Sequence, residues 1–398
     1  MESIKEIYNI GSGPSSSHTM GPEKASIYIK NKYNADYYKV ILYGSLALTG
    51  KGHLTDYIIK KTLINCDVLF DINTKKEHPN TMEFYIYKDN NLINKEIILS
   101  IGGSKIKLEN ELEEPLKPIY PHNTLTKIIN YCKKNKLTLQ DYVYKYEDND
   151  IKIFLNNIYK EMLDSIKRGL RNKGYLPGQL KIKRKAYRFS KSNIESEPLI
   201  SKERRKISAY AYAVSEENAS GGRIVTAPTC GSAGILPAVL KYFQDFKNFS
   251  NDKIIDALAV SGLIGNIIKT NATISGAVAG CQAEVGSACA MAAAAHATLF
   301  DYPLKKVEYA SEIAMEHHLG LTCDPVLGYV QIPCIERNAA GALRAVDSST
   351  LAYFSSKQRI SFDKVVETMY ETGKDMQEAY KETSLSGLAK HFKETKWK

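Results

Sequence analysis

The spacing of apolar positions changes partway along this chain. In the first quarter they fall in short runs rich in β-branched and aromatic residues: Lys-Val-Ile-Leu-Tyr at 39–43, Met-Glu-Phe-Tyr-Ile-Tyr at 82–87 and Ile-Ile-Leu-Ser-Ile at 97–101, the last ended by Gly102-Gly103. Runs of this kind between turn residues predict strands. Residues 22–32 and 55–64 follow loops and have helical spacing. From 124 onward the helical period dominates, over 124–135, 139–146, 151–173, 202–217, 235–246, 252–266, 283–300, 304–318, 335–357 and 362–371. The expected fold class is α+β: an N-terminal α/β domain over 1–112, then a larger all-helical domain over 122–398. The acidic, proline-containing stretch 109–121 is the expected boundary. Residues 174–178 read as a break and 189–199 as a polar, flexible connection. The Ala-, Gly- and Ser-rich part, 258–298, predicts close-packed central helices, because small residues let helix backbones approach.

Composition narrows the class. At 398 residues the chain is long enough for two domains, and 43% hydrophobic with 25% charged is ordinary for a globular protein. The first residues lack an apolar signal segment, and the longest uncharged run, 285–300, is mostly Ala and too short to span a bilayer. A soluble, cytoplasmic protein without membrane contact is expected. Seven cysteines in such a chain argue for free thiols or metal ligands rather than a disulfide framework.

The net charge of +10 is local. Residues 164–206 hold fourteen Lys or Arg against four Asp or Glu, which accounts for the whole excess. The stretch lacks interleaved stacking aromatics and any nucleic-acid motif, so a solvated linker or helix-flanking surface is the expectation, with no nucleic-acid partner.

Candidate chemistry sits in four places. Cys281, Cys323 and Cys334 each lie where Gly or Pro interrupts a helical pattern, and loops at helix ends can converge ligands on one point. The spacing is not C-x2-C, so a zinc ribbon or ferredoxin-type site is disfavoured, and ordinary free thiols remain the other reading. If the three bind a four-iron cluster, one iron stays open to act as a Lewis acid. Cys289, eight residues after Cys281, is expected to lie roughly 12 Å further along one helix and to be a buried apolar residue. Gly11-Ser-Gly-Pro-Ser-Ser-Ser-His-Thr-Met-Gly-Pro22 places Ser15, Ser16, Ser17, His18 and Thr19 ahead of a helix, which suits a carboxylate pocket or simply a capped loop. Tyr43-Gly-Ser-Leu-Ala-Leu-Thr-Gly-Lys-Gly-His53 fails the P-loop pattern, and its His53 is either a general base or a solvated loop residue. Thr226-Ala-Pro-Thr-Cys-Gly-Ser-Ala-Gly234 is a second anion-binding candidate or a tight interhelical turn, with Cys230 a thiol near it.

Taken together, the motifs resemble the iron–sulfur-dependent L-serine dehydratases of bacteria, in their single-chain form. The resemblance rests on Gly13-Pro-Ser-Ser-Ser-His-Thr-Met-Gly-Pro22, Tyr43-Gly-Ser-Leu-Ala-Leu-Thr-Gly-Lys-Gly-His53, Leu176-Pro-Gly178, Thr226-Ala-Pro-Thr229 and Ser275-Gly-Ala277. It continues through Gly280-Cys-Gln282, Glu284-Val-Gly286, Cys323-Asp-Pro325, Gln331-Ile-Pro-Cys-Ile-Glu-Arg-Asn338 and Tyr380-Lys-Glu-Thr-Ser-Leu385. It implies a beta domain followed by an alpha domain carrying a 4Fe-4S cluster on Cys281, Cys323 and Cys334. It implies His53 as base with His18 beside it, and a substrate site formed by Ser15, Ser16, Ser17, Thr19, Thr229, Ser275 and Gly276. The implied reaction is conversion of L-serine to pyruvate and ammonia without pyridoxal phosphate. A homodimer is the default expectation. Alternatives are a sister lyase acting on cysteine or threonine, and a non-catalytic iron–sulfur or amino-acid sensor. The chain departs from the family pattern in three ways. It ends Lys396-Trp-Lys398, so no tail cysteine is expected to reach the cluster; Val278-Ala279 stands where the pattern has Glu-Val; and no C-terminal regulatory domain is expected.

Overall fold

A computed structural model describes residues 1–109, 111, 117–192 and 195–394. The fold is α+β. Strands are β1 (Ile10–Ser12), β2 (Tyr37–Tyr43), β3 (Cys66–Asp71), β4 (Thr81–Lys88), β5 (Asn91–Gly102), β6 (Lys105–Leu108) and β7 (Arg223–Val225). Five of them form one sheet in the order β3-β2-β4-β5-β6, with β2 and β3 parallel and the rest antiparallel. One face of the sheet alternates Tyr38, Val40 and Leu42 with Met82, Phe84 and Ile86, and it buries these against Ile29, Ile58 and Ile59 of the Gly21–Lys32 and Thr55–Thr62 helices. The period of two along each strand thus meets the apolar stripe of each helix.

The helical body is built around Ser287–Leu299, in which every residue is buried. A helix apolar on all sides belongs in the core. Here the side chains are mostly Ala, so the Asn251–Asn271, Leu304–Glu316 and Cys334–Phe354 helices pack closely around it. This is the arrangement expected from 258–298. Cys289 is buried in that helix with its thiol against the Gly341 carbonyl, as a core residue.

Two features join the sheet to the helical body. The first residues of the chain do not stay with the sheet: Ile4, Ile7 and Tyr8 lie in the helical core, and the Tyr8 hydroxyl donates to Leu258 O at 2.8 Å. Next, β1 pairs antiparallel with β7, Ile10 opposite Val225 and Ser12 opposite Arg223. The chain then enters the serine loop with its position already set.

Some expectations shift in detail. The stretch 44–53, read as a loop, contains the short Gly44–Thr49 helix, entered at positive φ by Gly44 against Pro79 O. The stretch 189–199 is anchored rather than free where described: Ala186–Lys191 is helical, and Arg205 makes paired 2.7 Å contacts to Glu197; residues 193–194 lie outside the described residues. The boundary expected at 109–121 is also partly outside them. Several cations of 164–206 serve internal ion pairs, Arg168 and Arg184 with Glu217 and Lys185 with Glu336. No helix among the described residues is long and apolar enough to cross a membrane.

Candidate active site

The serine loop is a small machine of hydrogen bonds. Ser15 caps the π-turn Ser16–Met20, its Oγ accepting from His18 N–H at 3.1 Å. Ser17 Oγ lies 2.9 Å from His18 Nδ1, and Ser45 Oγ lies 2.8 Å from His18 Nε2. Ser16 Oγ lies 3.4 Å from Cys230 Sγ, linking the loop to the helical body. From the sheet side, Ser100 Oγ donates to Ser17 O at 2.7 Å, and a Cβ on Gly21 would lie 2.1 Å from that same hydroxyl. Only glycine lets the loop sit down on the sheet.

His53 is buried, which excludes the solvated reading, and its ring centre is 4.8 Å from that of His18. Its Nδ1 is 3.2 Å from Thr49 O, while its Nε2 is buried with no hydrogen-bond partner among the described residues. Burial lowers the His18 pKa to about 3, with His53 adding to the shift, and burial lowers His53 to about 4. Both rings are therefore neutral at neutral pH, and His53 Nε2 is an open proton acceptor.

Opposite this loop the cysteines converge. Cys281 precedes the π-turn Gln282–Gly286, and Cys334 is the first residue of the Cys334–Phe354 helix. Cys323 is fixed by backbone pairing: its N–H donates to Tyr380 O at 2.8 Å, and its carbonyl accepts from Glu382 N–H at 2.7 Å. Ligand atoms of Cys281, Glu284 and Cys323 lie within 4.8 Å of one another. Cys334 lines the same cavity. Asn338, one turn along its helix, donates to Cys334 O and Gly231 O at 2.8 and 2.7 Å, tying the 226–234 loop to the cysteine helix.

The hydrogen bond to Cys281, burial and the Cys281 and Glu284 charges push the Cys323 thiol well up. Burial and Cys281 do the same to Cys334, and burial raises Glu284. Helix N-termini favour thiolates, but here desolvation outweighs them. Burial opposes the Arg337 charge, yet Cys281 and Cys334 more than offset it, and its guanidinium bonds to Thr322 O and Asp324. One guanidinium facing three thiols and two carboxylates leaves room for a cation. A bound metal would deprotonate the thiols outright, and three converging sulfurs with an adjacent carboxylate suit thiophilic iron. The residues present fit an iron–sulfur centre.

The cavity between these walls is about 140 Å³, below the range of drug-sized pockets and suited to a compact ligand. It is lined by Ser15, Ser16, Ser17, Thr229, Ser275, Gly276, Cys281, Cys323 and Cys334 among the expected residues. His18, Thr19 and His53 are not on its surface. They form a layer behind Ser17, with the Thr19 hydroxyl donating to His53 O at 2.7 Å. Glu284 and Glu382 also line the cavity, and sequence reasoning had not singled them out. Glu284 stands three residues from Cys281, one helical turn, which was a usable signal. Glu382 lies inside the Tyr380–Leu385 motif, but its place at the cavity depends on pairing with a segment some sixty residues away, which the motif does not disclose.

Comparison with known proteins bears on this geometry. The family description "Serine dehydratase alpha chain" matches residues 75–389, and "Serine dehydratase beta chain" matches 3–68. The chain belongs to the serine dehydratase family. It is 39% identical to "L-serine dehydratase" of Helicobacter pylori (strain J99), over 98% of this chain and 99% of that protein. It is 38% identical to "L-serine dehydratase 2" of Escherichia coli K12, over 98% of both chains, and 38% identical to "L-serine dehydratase" of Haemophilus influenzae, over 98% and 99%. This membership agrees with the resemblance read from the motifs. The tail departure, Lys396-Trp-Lys398, lies outside the described residues. Val278 is exposed, while Ala279 is buried against Gly373, where a Cβ on the glycine would lie 2.4 Å away. A small residue at 279 thus matches a glycine in the Phe362–Asp375 helix.

Proposed function

We propose that this chain converts L-serine to pyruvate and ammonia, with a 4Fe-4S cluster held by Cys281, Cys323 and Cys334. The observation that carries this reading is the convergence of three thiols and a serine-rich π-turn on one small cavity, in a chain similar over 98% of its length to L-serine dehydratases. When bound, such a cluster supplies a Lewis-acidic iron that polarises the substrate's hydroxyl. The chain's own groups do the rest. Backbone N–H groups and hydroxyls of Ser15–Ser17, with Thr229, Ser275 and Gly276, hold the carboxylate at a helical start. His53 serves as the base from behind the cavity surface, the α-proton passing to its Nε2 across the Ser17–His18 layer, and His18, bridging Ser17 and Ser45, keeps the loop and the base in register. Loss of the α-proton and of the hydroxyl as water leaves aminoacrylate, which tautomerises and hydrolyses to pyruvate and ammonia. In the same reading, 1–112 and 122–398 are the two functional halves.

The test is anaerobic purification with iron reconstitution. Pyruvate release would be measured from L-serine, L-threonine and L-cysteine before and after exposure to air. Serine-preferring activity that tracks iron content and is lost in air is expected. Activity indifferent to iron and air would reject the cluster's role, and ligand binding without pyruvate would point to a sensor.

A further inference from the structure

The cavity holds two carboxylates in different circumstances. Glu284 is engaged: Cys323 Sγ is 3.9 Å from its carboxylate, and Gly231 and Gly276 close around its oxygens. Glu382 lines the same cavity, and its charge is felt at Cys230, Cys323 and Cys334, so its carboxyl group faces the interior. Yet among the described residues that carboxylate meets no hydrogen-bond donor and no cation.

Its backbone is nonetheless held firmly. Glu382 has φ 61°, in the left-handed region that costs a non-glycine residue about 1 kcal/mol. The conformation is imposed by its N–H bond to Cys323 O at 2.7 Å and, two residues on, by the 2.6 Å bond from Ser384 Oγ to Pro325 O. Burial, with Glu284 beside it, raises that carboxyl to about 8, so it ionises when a cation is brought against it. A residue fixed in an unfavourable conformation with an unpartnered carboxyl group aimed into a cavity is a mark of function rather than of stability.

We propose that Glu382 binds the α-ammonium group of the substrate. This rests on the serine reading given above. An amino acid enters as a zwitterion, and burying either charge unpaired is costly. The serine loop offers donors, which suit the carboxylate and not the ammonium. Glu284 is already committed to Cys323. Glu382 is the acceptor left over, on the thiol side and across from the carboxylate pocket. With the hydroxyl directed to the metal centre, the substrate is then held at three points, which also selects its handedness.

The experiment crosses the residue with the ligand's amine. Reconstituted wild type, Glu382→Gln and Glu382→Asp would be compared for the KM of L-serine and for inhibition by 3-hydroxypropanoate, which is serine without its amino group. Iron per chain would be measured in each. The expected result for Glu382→Gln is a KM for L-serine raised roughly 10- to 100-fold, the range for losing a charged hydrogen bond, with the inhibition constant of 3-hydroxypropanoate and the iron content unchanged. Glu382→Asp should recover part of the loss. An unchanged KM, an equal loss for both ligands, or loss of iron would overturn the assignment. If wild type itself releases no pyruvate from serine, both this inference and the serine reading fall. If wild type is active and the amine-selective loss is absent, only this inference falls.

Discussion

The two walls of the cavity are built on different principles. On the serine wall the polar groups are matched to one another: Ser15 to the His18 amide, Ser16 to Cys230, Ser17 and Ser45 to the two nitrogens of His18. Among the described residues His53 Nε2 is left over. On the thiol wall three cysteines and two glutamates crowd together, with Arg337 as the compensating charge. The first wall is complete as folded and can recognise a ligand by geometry. The second holds its thiols and carboxyls protonated by burial and gives up those protons when something positive is added. A site assembled this way separates recognition from activation, so each should be breakable alone.

The largest effects come from breaking one wall at a time. Cys334→Ala should lose bound iron, and serine turnover should fall to background, on the order of 10³-fold or more, since the metal supplies several kcal/mol of charge stabilisation. His53→Ala should cost roughly 10²- to 10⁴-fold in rate while iron per chain stays at the wild-type level. Iron content and initial rate measured on the same preparations decide the matter; loss of iron in the histidine variant would show that the walls are not independent.

A smaller effect sharpens the comparison through pH. Buried His18 and His53 have pKa values of about 3 and about 4, against about 6.5 in an unfolded chain. Between those limits the unfolded chain binds more protons than the folded one, so stability is full above about pH 6.5 and falls as pH drops toward 4. A loss of a few kcal/mol is expected, read from urea midpoints at about pH 7.5 and about pH 4.5. Replacing both histidines with Gln should flatten that slope; an unaltered slope would assign it to other groups.

The smallest change targets the thiol wall by crowding. A Cβ on Gly276 would stand 2.6 Å from Glu284 Oε2 and 3.4 Å from Cys323 Sγ. Gly276→Ala should therefore cost about 1–3 kcal/mol and weaken iron retention, seen as a lowered melting temperature and less iron after gel filtration. A variant as stable and iron-rich as wild type would mean that Glu284 has freedom to move aside.

Much of this was legible in the sequence. The helices of the body have clean periodicity and appear within a few residues of their expected places, because long amphipathic or Ala-rich segments carry a strong signal. The sheet was less legible. Strand β3, Cys66-Asp-Val-Leu-Phe-Asp71, is interrupted by aspartates, which are poor in strands, and is held by parallel pairing with β2. Strands β1 and β7 have three residues each, too few for any period, and exist only through each other. The thiols and serines of the cavity announced themselves by residue type. The burial of His53 did not, because the groups enclosing it come from Thr19, Thr49 and His18 across separate elements. The placement of Glu382 was not legible for the same reason: its motif was visible, but tertiary pairing, not local pattern, brings it to the cavity.

The docking of Glu2 and Tyr8 into the helical body also sets an order in time. A ribosome releases them long before their partners Asn266 and Leu258. The serine loop that follows them cannot face Cys334 or Glu382 until those distant segments have also been made. The reaction chamber is thus closed by stretches of the nascent chain that appear far apart in time, and a product of translation halted between them carries only half of it.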